Sequence, residues 1–205
     1  MISLPVVDRR FPCVGVILAG GGATRFGGAP KGLNLVDGVR IIDRVAGVLR
    51  DAADSLLLVA NDPAASAWLP GVPCEPDVRV GDGALGGIHA ALTHANGAAV
   101  LVVAWDMPHV PSALLRALRA RGEEGYDAVL AESSSSRRGV EPLCAWYGPA
   151  CLPAITKRLD AGDRRVVSFL EDVRVSHLSA ADVSQWGDPA RIFFNVNTPD
   201  DLSAS

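Results

Sequence analysis

Short, wholly apolar runs recur along this chain with helix-patterned stretches between them, and that alternation leaves few folds open. CVGVIL (13–18), SLLLVA (55–60), AAVLVVA (98–104) and YDAVLAE (126–132) read as strands, with PLCAWYG (142–148) and VRVSHLS (173–179) as two more. Helical spacing of apolar residues predicts helices over 41–53, 85–95, 111–124, 149–159, 165–173 and 198–204. Pro111 and Ser112 give the third its start signal, and Thr198 caps the last. A strand without a polar face is covered on both sides. The expectation is therefore an α/β fold with a mostly parallel central sheet flanked by helices. The 205 residues suit one domain spanning 1–205 with a sizeable core.

Composition narrows the class. A net charge of -4 argues against a broad nucleic-acid face, though not against a local basic pocket. No apolar run approaches the roughly 20 residues of a membrane helix. In the opening MISLPVVDRRFP, Asp8, Arg9 and Arg10 follow a very short apolar stretch, the wrong order for a secretion signal. Cys13, Cys74, Cys144 and Cys151 form no CxxC pair and read as small buried hydrophobes of a reducing cytosol. His89, His94, His109 and His177 show no metal spacing. The Trp and Phe residues read as core, and ESSSSRRG (132–139) as a surface loop.

The first strand runs into a loop with glycine at 20, 21, 22, 27, 28 and 32 and with Arg25 and Lys31 between them. Ligands of such sheets bind outside the carboxyl ends of the strands. Glycine lets the backbone turn and approach a ligand closely, and successive N–H groups form an anion nest. The two cations point to a phosphate. The loop is not a Walker motif, since Pro30 and Gly32 flank Lys31. It is not GxGxxG either, since Arg25 stands where the third glycine belongs. Asp106 follows a fully apolar strand and suits a hard cation such as Mg2+. Asn195 and Asn197, two apart, share one side of an extended segment.

LAGGGATRFGGAPKG (18–32) resembles the LAGGxxxRxGxxK signature of the molybdenum cofactor guanylyltransferase family. VAND (59–62), PDVRVGDGALGGIHAAL (76–92), VVAWDMPHVP (102–111), VEPLCAWY (140–147) and FFNVNTPDDL (193–202) are similar to that family's later segments, in its order. The resemblance implies a single-domain Rossmann-like fold of the nucleotide-diphospho-sugar transferase kind, with a nucleotide-binding N-terminal half and an acceptor-binding C-terminal half. It implies that Leu18, Ala19, Gly20, Gly21, Gly22, Lys31, Asn61, Asp77 and Asp106 hold the nucleotide, with Asp106 on Mg2+ as cofactor. Arg25 and Lys31 would offset triphosphate charge. The substrates implied are GTP and molybdopterin, whose phosphate attacks the α-phosphate as pyrophosphate leaves.

Residue chemistry adds to this. A carboxylate accepts from the N1–H and 2-amino group of guanine and would repel cytosine's ring nitrogen. Asp77 in a base pocket would therefore favour guanine. By type alone, Asp77 and Asn61 serve equally well as turn or cap residues. For the anionic acceptor the candidates are Arg137, Arg138, Arg164, Arg165, Asn195 and Asn197. Transient contact with other cofactor-biosynthesis proteins or apo-molybdoenzymes is a further expectation, as is a cytoplasmic location. Two departures stand out. Trp105 precedes Asp106 where the family has a small residue, and Gly83-Ala84-Leu85 replaces its GPL turn. The rival readings are a cytidylyltransferase on the same pterin, a phospholactate guanylyltransferase, or a binding module without catalysis. Gly20-Gly21 weighs against the cytidyl branch, whose signature resembles LAAG, and Arg25, Lys31 and Asp106 weigh against the inactive module.

Overall fold

A computed structural model describes residues 12–20, 30–133, 136 and 138–204. Seven strands form one sheet: β1 (Cys13–Ala19), β4 (Ser55–Ala60), β5 (Cys74–Glu75), β6 (Ala99–Ala104), β7 (Ala128–Glu132), β8 (Val140–Tyr147) and β9 (Val175–Leu178). Their order across the sheet is β5-β4-β1-β6-β8-β7-β9. All neighbours are parallel except β8, which runs antiparallel to β6 and β7. This is the expected mostly parallel α/β sheet.

Two helical layers close the faces. Alternate residues of each central strand serve opposite sides: Cys13 and Ile17 of β1 join one core cluster, Val16 and Leu18 the other. Helices α1 (Ile41–Arg50) and α3 (Ser112–Glu123) cover the first face. Helices α2 (Gly83–His94) and α4 (Cys151–Asp160) cover the second. Gly15 lets α1 approach β1, since a Cβ there would lie 3.1 Å from that of Leu49. All four cysteines are free, and burial pushes the thiols of Cys13 and Cys151 up to about 12. No described helix is long and apolar enough to cross a membrane.

Several local expectations need correction. The helix expected over 165–173 is a 3-10 turn, Ser168–Asp172. Asp163 accepts from the Arg165 amide at 3.0 Å, and the chain is extended again at Val173. Too few residues remain to nucleate an α-helix. The closing helix is a short α7 (Asp201–Ala204), and the Asp201 carboxylate accepts from the amides of Asn197 and Thr198, each at 2.8 Å. Helix α2 begins at Gly83, so Gly83-Ala84-Leu85 is its first turn. A hairpin of β2 (Leu35–Val36) and β3 (Val39–Arg40) was not anticipated. Its turn residues Asp37 and Gly38 both have positive φ, as an Asp-Gly hairpin turn requires. Two short helices in the C-terminal stretch, α5 (Ala180–Ser184) and α6 (Pro189–Ile192), were also unanticipated. They are capped by Ser179 and Asp188.

Candidate active site

The chain passes from β1 to β4 and β5 on one side, then crosses to β6 on the other. The reversal opens a crevice at the carboxyl ends of β1, β4 and β6, the position such sheets use for ligands. A cleft of about 490 Å3 lies there. Leu18 and Ala19 line it from the end of β1 and Gly20 from just beyond, Asn61 from just beyond β4, and Trp105 and Asp106 from just beyond β6. Gly83, Ala84 and Gly87 line it from α2, leaving backbone open to a ligand.

Charge concentrates at one end. Lys31 begins a 3-10 turn (Lys31–Leu33), and its Nζ donates to Asp106 Oδ2 in close contact. Both side chains are largely buried, 14 % and 10 % exposed. The same Nζ donates to Asn197 Oδ1 at 3.3 Å. Asp106 Oδ1 is buried and has no partner among the described residues. The Asp106 carbonyl accepts from the Val196 amide at 2.9 Å, which ties the segment 193–198 to the end of β6. Val196 is fully buried, while Asn195 and Asn197 turn to the open side and line a second cleft. Asn195 lines both clefts.

At the other end two polar residues hold one another. Asn61 Nδ2 donates to Asp77 Oδ2 at 2.7 Å, and the Asp77 amide donates to Asn61 Oδ1 at 2.8 Å. This fixes the Asp77 carboxylate at the mouth of the cleft with acceptor positions to spare.

Trp105 serves the core and the cleft together. Its indole is 4 % exposed and stacks on Trp68 with centroids 5.2 Å apart and planes 19° from parallel. A Cβ on Gly32 would lie 2.8 Å from its Cδ2 atom. Gly32 follows Lys31 and Trp105 precedes Asp106, so this close contact seats the ion pair. The bulk beside Asp106 is accommodated by glycine across the cleft.

The second cleft, about 730 Å3, is lined by Arg138, Glu141 and Leu143, with Phe194, Asn195 and Asn197 opposite. Arg164 and Arg165 line neither cleft. Arg164 donates to Asp82 at 2.7 Å, before α2, and Arg165 binds Asp163 at 2.7 Å, holding that carboxyl well below its usual range. Arg25, Gly21, Gly22 and Arg137 lie outside the described residues. The sequence reading passed over Glu141, although the quoted segment VEPLCAWY contains it. Burial pushes its carboxyl up and the charge of Asp106 adds to the rise, against the pull of the Leu143 amide and of the Arg138 charge.

A mostly parallel sheet with a cleft at its switch point defines the class of the fold as Rossmann-like. The signature of the MobA-like NTP transferase domain matches residues 15–178, and the chain belongs to that family. A probable molybdenum cofactor guanylyltransferase from Pelotomaculum thermopropionicum is 38 % identical, covering 92 % of this chain and 89 % of its own. A molybdenum cofactor guanylyltransferase from Desulfosudis oleivorans is 32 % identical, over 92 % and 91 %. Among solved structures, the molybdopterin-guanine dinucleotide biosynthesis protein A of Archaeoglobus fulgidus matches with a TM-score of 0.77 and 28 % identity, over 93 % and 95 %.

Proposed function

We propose that this chain transfers GMP from GTP to the phosphate of molybdopterin, releasing pyrophosphate and forming the guanine dinucleotide form of the molybdenum cofactor. The observation that carries the reading is one cleft with the Lys31–Asp106 pair at one end and the locked Asn61–Asp77 pair at the other. One end suits a triphosphate and the other a base. Asp77 accepts from guanine N1–H and the 2-amino group, and Asn61 holds the carboxylate in place for them. Leu18 to Gly20 and the small residues of α2 give the nucleotide backbone to lie against.

Lys31 offsets the triphosphate charge, joined by Arg25. The acceptor phosphate is already an anion, so no strong base is required. Its oxygen bonds to the α-phosphorus in line as the bond to the β-phosphate breaks. The residues fit Mg2+. Asp106 keeps a buried oxygen without a partner among the described residues, Asn195 lines the same cleft, and Asn197 Oδ1 lies at the Lys31 ammonium that Asp106 binds. When bound, Mg2+ supplies positive charge to the phosphoryl oxygens. The protein's share is to align the reactants and meet the growing charge with fixed groups. The free cysteines fit a cytoplasmic enzyme.

The test is a competition. Purified protein receives Mg2+, molybdenum-loaded molybdopterin and equal GTP, CTP, ATP and UTP, and pterin products are read by mass spectrometry. A dominant guanylyl product is expected. A cytidylyl product would overturn the role of Asp77, and no nucleotidylated pterin would overturn the acceptor.

A further inference from the structure

The acceptor cleft holds a carboxylate for which phosphate transfer has no task. Glu141 and Leu143 are two apart on β8, so they share a face, and both line this cleft. Among the described residues no cation forms a hydrogen bond or ion pair with Glu141, and Arg138 of the same cleft acts on it only through space. Its Oε1 receives only the Leu143 amide, at a long 3.4 Å. A carboxylate drawn out of water without such a partner is costly. A ligand bearing adjacent N–H donors would relieve that cost.

The acceptor proposed above carries such donors. The pyrimidine part of a pterin presents N3–H beside a 2-amino group, the same donor pair that guanine presents. Two carboxylate oxygens match it. We propose that Glu141 reads the pterin ring of the acceptor by accepting hydrogen bonds from N3–H and the 2-amino group. This rests on the acceptor being molybdopterin. Phe194 gives the cleft an apolar wall beside the ring, and Asn195, shared by both clefts, marks the side where the acceptor phosphate meets the nucleotide. The enzyme then uses one chemical device twice, Asp77 for guanine and Glu141 for the pterin.

The test follows guanylyl transfer to molybdenum-loaded molybdopterin, with 6-hydroxymethylpterin and 6-hydroxymethyllumazine as competing inhibitors. The lumazine has a carbonyl in place of the 2-amino group, so an acceptor faces the carboxylate. In the wild type the pterin inhibits at least about ten-fold more strongly. Glu141→Gln keeps the size of the side chain, and a thermal melt checks its fold. It raises the acceptor KM about ten-fold, leaves the GTP KM within about two-fold and erases the preference between the inhibitors. A merely structural role would not move that preference. Equal inhibition in the wild type, inhibition by neither, or an unchanged acceptor KM in Glu141→Gln overturns the assignment of Glu141 alone. No transfer to molybdopterin by the wild type overturns the acceptor reading and this inference with it.

Discussion

The two clefts share Leu143 and Asn195, yet they are built differently. The nucleotide cleft stands on the ends of β1, β4 and β6, with β1 hydrogen-bonded to both of the others. Its polar groups are tied in advance, Asn61 to Asp77 and Lys31 to Asp106. The acceptor cleft stands on the antiparallel β8 and the irregular segment 193–198, and its Arg138 and Glu141 form no ion pair among the described residues. One side is tied together within the protein itself. On the function proposed above, the other is completed by the acceptor. Groups already fixed lose little freedom on binding, so the tied side is the one suited to choosing among similar bases.

The contrast can be broken first at Asp106, whose partner Lys31 also donates to Asn197 of the second cleft. Asp106→Asn removes the carboxylate at the junction and leaves Lys31 without its counter-ion. Turnover is expected to fall about 10³-fold, read by pyrophosphate release, with the fold retained by circular dichroism. Next, Asp77→Asn gives guanine's donor pair only one good acceptor. The preference for GTP over CTP in a mixed-nucleotide assay falls about 10- to 100-fold, while the acceptor KM stays in place.

The seating of Lys31 is tested by Gly32→Ala. The new methyl meets the Trp105 ring, and overpacking of this kind costs about 1–3 kcal/mol. The melting temperature should drop about 3–10 °C and the GTP KM should rise. Trp105→Leu in the same chain relieves the clash and recovers part of both. The smallest effects sharpen the acceptor side. Arg138→Ala raises the acceptor KM about three- to ten-fold. Arg164→Ala changes it less than about two-fold, because that guanidinium is engaged by Asp82 and is 62 % exposed.

What was legible in the sequence follows the same divide. The apolar runs at 13–18, 55–60 and 98–104 declare parallel strands, and a ligand site at such strand ends is a property of the fold. Lys31 and Asp106 could therefore be picked out by position and residue type, whereas Asn61 and Asp77 joined them only through the family resemblance. The mutual grip of Asn61 and Asp77 could not, because residues 16 apart in the chain meet only through the loop after β4. On the acceptor side, four arginines looked alike as charges. Folding pairs Arg164 with Asp82 and Arg165 with Asp163 and leaves Arg138 on the cleft, a sorting by tertiary contact that spacing does not encode. The partnership of Trp105 with Gly32 and Trp68 is of the same kind. The Asp37-Gly38 turn, by contrast, was readable and was overlooked.

The division of labour between the clefts is tested most directly by four numbers, the KM for GTP and for molybdopterin in Asp77→Asn and in Arg138→Ala. The prediction is a clean cross. Asp77→Asn raises the GTP constant on the order of ten-fold and spares that of molybdopterin, and Arg138→Ala raises the molybdopterin constant and spares that of GTP. Both variants raising both constants alike, or the cross running the other way, would contradict it.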